Sequence, residues 1–412
     1  MQNLDPKAVA RAYYALPFHD RSFKSLTDQF SQPGQPVSAN RLSSVVRDLE
    51  ESGRIRHEVL DPDIEFLPRC PQMEDELRHR FGVRQAVVVD TASVVLPRDT
   101  QAEAPLDWAK YDDTLHTRLG AWGGRLIASN LRPGDVIATG GGRGPFYAVT
   151  KTRMSINQRY FGDIQPLTGQ ICARVWSHDG ANVDVPPFLD ADNVAATIHG
   201  RIGSRGRLRS INRPITALKQ TPRTNDVDVA IFGIGALGGG HRLCEHRHLA
   251  DVRSVNSLLC DINELARKIE NNQTHAGPPF FHPVGDVCNC YFMVEPENGE
   301  DQRPEWRELA AKLQQLNKAF KSATPEALGK IARSGFVLAV AGGPHKAYAI
   351  RHVLRKNREK TLLTHLVTDQ ETARWILNKE KEPAHVAPVA FPAPAPAQKK
   401  PAATHAKKPA KA

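Results

Sequence analysis

From residue 85 to residue 378 the chain alternates short apolar runs with longer amphipathic stretches. Gln85–Asp90, Asp135–Thr139, Asp228–Phe232, Phe336–Ala341 and Leu362–Thr368 have strand length and are rich in aliphatic residues. Helical spacing fills Thr114–Asn130, Pro304–Lys321, Thr324–Arg333, His345–Lys356 and Asp369–Asn378. Near-continuous apolar strands separated by helices predict a parallel sheet covered on both faces, so this part of the chain is α/β and doubly wound. Thr368 to Glu371 (TDQE) predict a capping box at the start of the last helix.

A different pattern precedes it. Residues 1–60 predict a helix over Lys7 to Leu16, a second short helix around Phe23 and Leu26, a turn rich in Gln, Pro and Gly, and a third helix from Ser38 to about Ser52. In that third helix Leu42, Val45, Val46 and Leu49 share one face, while Asn40, Arg41, Ser44 and Arg47 point away. The segment RIRHEVL then alternates as a short strand does. Helix, helix, turn, helix and ribbon is the winged helix-turn-helix plan. Asn and Arg can read base edges, and Ser and Arg can hold phosphates, so Ser38, Asn40, Arg41, Ser44 and Arg47 are the candidate DNA-binding residues.

Charge adds less than its total suggests. The formal charge is +10, but five Lys and no acid fall in residues 383–412, a stretch of Pro, Ala and Lys with nothing periodic to bury that is expected to be a disordered tail. Residues 1–57 carry eight Lys and Arg against six Asp and Glu, so the pattern rather than the charge carries the DNA reading. The domains expected are therefore a head over 1–60, an α/β domain over 61–382 and the tail. No run reaches membrane length and no signal peptide is visible, which predicts a soluble, cytoplasmic protein with its six cysteines reduced.

Ligands of open parallel sheets bind beyond the carboxyl ends of the strands, and three loops qualify. Gly140, Gly141, Gly142, Arg143 and Gly144 follow a strand and lead into a helix, where backbone N–H groups and a guanidinium suit an anion. Gly342 and Gly343 follow another strand, and Lys346 falls in the first turn of the next helix, where the dipole disfavours a cation unless an anion is bound. Gly233, Gly235 and Gly238 satisfy GxGxxG after a strand, but the polar HRLCEHRH that follows is not the apolar helix a dinucleotide fold needs, so this loop is read as a pocket wall. Asp286 is the carboxylate expected in the pocket, and Gly169 and Gln170 complete the candidate effector-binding set. His241, Cys244, His246 and His248 have no closed zinc-site spacing, and Cys288 and Cys290 are read as small core residues on one side of a strand. No metal site, cofactor or catalytic triad is expected.

Five of these segments, MEDELRHRFGVRQAVVV (73–89), RPGDVIATGGGRG (132–144), DVAIFGIGAL (228–237), VGDVCNCYF (284–292) and LAVAGGPHKAYAIRHVL (338–354) with LVTDQETARWIL (366–377), together resemble the SorC family of transcriptional regulators. The effector domain of that family is related in fold to glucosamine-6-phosphate deaminase and ribose-5-phosphate isomerase. The resemblance implies a regulator with operator DNA as partner, a phosphorylated sugar or polyol as effector, and a homo-oligomer, dimer or tetramer. The competing reading is a sugar-phosphate isomerase or deaminase of the same fold. Against it, no cluster of acids resembling theirs is found, and Asp179-Gly-Ala reads as a hairpin turn.

Overall fold

The computed structural model describes residues 5–6, 8–9, 12, 23–31, 36–51, 68–90, 108–154, 159–170, 175–176, 182–183, 190–211, 213, 215–237, 253–272, 281–294 and 303–379. The ribbon expected at 54–60, the tail from 383, the turn at Asp179 and the segment holding His241, Cys244, His246 and His248 lie outside these residues.

Helices α1 (Phe23–Phe30) and α2 (Ala39–Glu51) pack through Leu26, Leu42 and Val46, which with Val9 and Val37 form a core of their own. Ser38 ends the turn before α2, where its hydroxyl accepts the Arg41 N–H at 3.3 Å, as a helix-start residue should. Asn40, Arg41, Ser44 and Arg47 are exposed while Leu42 and Val46 are buried and Val45 is half-buried, the division that the spacing predicts for these residues.

The larger part holds α3 (Pro71–Phe81), β1 (Gln85–Val89), α4 (Trp108–Asn130), β2 (Ile137–Thr139), α5 (Arg143–Lys151) and β3 (Ile164–Pro166). Next come the short pair β4 (Val175–Trp176) and β5 (Asn182–Val183), then α6 (Ala191–Arg201), β6 (Val229–Phe232), β7 (Ile234–Leu237) and α7 (Arg253–Asn271). The chain continues through β8 (Val284–Val287), β9 (Cys290–Met293), α8 (Pro304–Ala319), α9 (Pro325–Ser334), β10 (Phe336–Val340), α10 (Ala347–Lys360), β11 (His365–Asp369) and α11 (Gln370–Lys379).

Six strands form a parallel sheet in the order β1-β11-β10-β6-β2-β3. Strand side chains alternate between faces, and the burial follows that period. Val87, Val89, Ile137, Val229, Ile231, Leu338, Val340 and Val367 meet α4, α5 and α6 in one core. Ala86, Val88, Ala138, Ala230, Phe232, Val337, Ala339 and Leu366 meet α3, α7, α8, α9, α10 and α11 in the other. The sheet is thus doubly wound, as expected. Strands β7, β8 and β9 make a separate antiparallel sheet.

Two expectations are corrected. The capping box at Thr368 does not form, because pairing carries β11 through Asp369 opposite Val89, and Asp369 itself accepts the Thr372 N–H at 2.9 Å. Glu371 pairs with Arg374 instead. Cys288 and Cys290 do not share one side of a strand. Cys288 and Asn289, with φ of 52° and 59°, are the two-residue turn joining β8 to β9, and only Cys290 belongs to a strand. No described helix is long and apolar enough to cross a membrane.

Candidate functional site

Strand β3 lies on one side of β2, while β6, the next strand of the sheet, lies on the other. The chains leaving β2 and β6 therefore part company, and in open parallel sheets the carboxyl ends of such strands are where a ligand crevice forms. After β2 the chain enters α5 on one face, and after β6 it enters β7 on the other. A strand where a dinucleotide fold has a helix removes the GxGxxG reading.

Gly140 is anchored by its N–H to the Ile231 carbonyl at 2.8 Å, and a Cβ there would meet Phe232 and the Cys288 sulfur at 3.1 and 3.2 Å. Gly142 precedes α5 with φ of 118°, a conformation that favours glycine. No side chain caps α5, and a helix start carries N–H groups without intrahelical acceptors. A Cβ on Gly144 would overlap the Val340 carbonyl, so glycine lets this helix start close on the end of β10. Gly141 and Arg143 are half-buried in the same turn.

From the opposite face, Asp286 pairs with Gly235 across β8 and β7, and its carboxylate occupies the space a Cβ on Gly235 would need. Asp286 Oδ2 accepts the Asn289 N–H at 3.1 Å. Burial pushes the Asp286 carboxyl up to about 6, against that hydrogen bond and the positive charge of Lys346, which both hold it down. Burial holds the Cys288 thiol far above its ordinary value, with the Asp286 charge adding to it, so a thiolate nucleophile is disfavoured. Asn289 Nδ2 reaches the Thr168 hydroxyl at 3.4 Å, tying the hairpin to the end of β3.

Lys346 does not lie inside the first turn of α10. It ends a single 3-10 turn, Pro344–Lys346, immediately before that helix, and its Nζ lies 3.2 Å from Nε2 of the buried His116 on α4. Gly343 has φ of 102°, but its N–H is already used by Asp369 Oδ2 at 2.7 Å and by the Thr372 hydroxyl at 3.1 Å. That loop therefore presents its lysine rather than this N–H.

Gly140 thus lies against Cys288, Gly233 against Pro145 and Gly235 against Asp286, whose carboxyl feels the charge of Lys346. Gly169 and Gln170 stand just beyond β3, where the Gln170 N–H donates to Arg213 O and its carbonyl accepts from Ile215 N–H, both at 2.9 Å. A Cβ on Gly169 would meet Leu218 and Ile215 within 2.9 Å, so this glycine serves a close passage of two backbones. Sequence reasoning passed over His116, Thr168, Asn289 and Asp369. Three of them act through partners more than 100 residues distant, or through a turn without glycine, and only Asp369, in an Asp-x-x-Thr helix start, carried a local signal.

No protein-family model matches the sequence, and no curated protein matches it. Comparison with solved structures finds the full-length sorbitol operon regulator SorC from Klebsiella pneumoniae at 15% identity and a TM-score of 0.47, covering 90% of this chain and 98% of that one. A transcriptional regulator from Streptococcus pneumoniae TIGR4 is similar at 14% identity and TM-score 0.46, covering 76% and 97%. The putative sugar-binding domain of a transcriptional repressor from Vibrio fischeri is similar at 14% identity and TM-score 0.45, covering 76% and 100%.

Proposed function

We propose that the chain is a DNA-binding transcriptional regulator controlled by a phosphorylated sugar or polyol, with operator DNA read by α2 and the effector held at the β2/β6 crevice. The observation that carries the effector reading is the meeting, at one crevice, of an uncapped helix start behind Gly140 to Gly144, the Lys346 cation and the Asp286 carboxylate. An anion accepts from the helix start and from Lys346, while a half-buried carboxyl next to the same place accepts from or donates to a sugar hydroxyl. One charge for the phosphate and one carboxyl for the polyol fit a phosphosugar better than either half alone. The sequence resemblance to the SorC family points the same way, and implies a homo-oligomer.

Calorimetric titration tests the effector. Lys346→Ala is expected to weaken a phosphosugar that binds the parent by about 1.5–3 kcal/mol, with Arg143→Ala weaker in effect and binding of the unphosphorylated sugar unchanged. Equal phosphosugar affinity in parent and Lys346→Ala excludes the anion site. For the head, Arg41→Ala is expected to cost on the order of 1–3 kcal/mol in operator binding by gel shift, with discrimination at one base position relaxed. Unchanged specificity assigns base reading elsewhere. Turnover of a phosphosugar by the parent, followed by NMR, favours the isomerase or deaminase reading instead.

A further inference from the structure

Much of the net positive charge outside residues 383–412 falls at one edge of the large sheet. Between Arg201 and Asn225 the sequence holds six Arg, one Lys and no Asp or Glu. This run follows the outer side of β3, the last strand of the large sheet. The Arg205 N–H donates to Tyr160 O at 2.8 Å, the Ile164 N–H to Arg207 O at 2.9 Å, and the Arg209 N–H to Ile164 O at 2.7 Å. Farther along, the Gln165 side chain donates to the Arg223 carbonyl.

All seven cationic residues are exposed. Arg207 and Arg209 share Asp163, and Arg201 reaches the Thr150 carbonyl. Among the described residues the side chains of Arg205, Arg213, Lys219 and Arg223 make no hydrogen bond or ion pair. Phe161 and Leu208, at 54% and 39% exposure, are the exposed large apolar side chains of the described residues, and both belong to the two segments paired along this edge.

Charged residues on an edge strand discourage sheet-to-sheet pairing, and that accounts for the alternation of Arg205, Arg207 and Arg209. It does not account for Arg213, Lys219 and Arg223, which follow the strand-like stretch. Two-fold pairing with a second copy would set seven cations against seven. A polyanion is the complement that remains, and arginine in preference to lysine suits phosphate, which its planar fork meets with two bonds at once.

We infer that this edge is a second DNA contact, which holds the phosphate backbone of duplex DNA without reading its sequence. The inference rests on the DNA-binding reading above. Its test uses the full chain and a mixed-sequence DNA duplex, with affinity followed by fluorescence anisotropy across a salt series. In one variant Arg205, Arg213, Lys219 and Arg223 are all changed to Gln, positions where no partner is lost; in the other, Arg41 and Arg47 are changed to Ala.

Each cation that meets a phosphate adds about 0.9 to the slope of log affinity against log salt. The edge variant is expected to lose about two to four from that slope and to bind tenfold or more weakly, with its thermal unfolding unchanged. An edge variant that binds with the parent's slope, while the head variant is weakened, overturns the second contact and leaves the head reading intact. A parent that binds no duplex at all overturns both. Vesicles of phosphatidylserine provide the last arm: capture of the parent, lost in the edge variant while duplex binding is kept, gives the edge to membrane surfaces and overturns the inference.

Discussion

Asp286→Asn is expected to make the protein more stable above neutral pH while impairing its ligand site. The folded carboxyl titrates at about 6 instead of 3.8, chiefly because burial penalises its charge. A raised folded pKa means the folded state holds its proton more tightly than the unfolded one. The parent thus has its full stability from this group below about pH 4, and loses it as pH rises through 6. About two pH units correspond to roughly 3 kcal/mol at the limit, and residual solvent contact reduces this to about 1–3 kcal/mol. Urea unfolding at several pH values gives the test. The advantage of Asp286→Asn should be largest at pH 8, shrink through pH 6 and vanish near pH 4; an advantage independent of pH contradicts the burial argument. A carboxylate kept at such expense is expected where it meets a ligand, so phosphosugar binding should fall in the same variant.

Gly144→Ala is expected to destabilise by about 3 kcal/mol, the upper part of the range for overpacked sites. The added methyl meets a backbone carbonyl at the end of β10 that cannot turn aside. Gly200→Ala is the counterpart, since nothing lies within 4 Å of its methyl and the position is helical. That change is expected to stabilise by about 0.5–1 kcal/mol. Denaturant midpoints of the two variants should move in opposite directions. Similar movement would show that the contact between α5 and β10 does not set the position of the helix start.

The strands of the large sheet were legible where burial on both faces leaves an unbroken apolar run, as in Phe336–Val340. Strand β3 was not, because Ile164, Gln165 and Pro166 carry no such run and the strand is recognisable only by its pairing with β2. Helix α7 was not expected either, although Leu259, Ile262, Leu265 and Ile269 give it an apolar stripe. The β8–β9 turn gave no local signal, since Cys288 and Asn289 take positive φ where Asn-Gly is the usual pair.

The same division holds at the site. Glycine loops and a lysine ahead of a helix are local features, and they marked Gly140 to Gly144 and Lys346. His116 and Thr168 act through partners distant in the chain, and only the fold brings them near. The cap moved from Thr368 to Asp369 because strand pairing, a long-range interaction, prevailed over the local box.

A phosphorylated sugar or polyol is proposed to bind at the β2/β6 crevice and to control the protein. Thermal unfolding of the full chain with pentose, hexose and hexitol monophosphates, each beside its unphosphorylated parent and inorganic phosphate, decides the matter. A ligand that binds only the folded state raises stability with its concentration, by about 2.7 kcal/mol at one hundred times its dissociation constant. At least one monophosphate is expected to raise the unfolding temperature, its unphosphorylated parent is not, and Lys346→Ala is expected to abolish the rise. Stabilisation by the unphosphorylated compound alone, or a rise that survives Lys346→Ala unchanged, would contradict it.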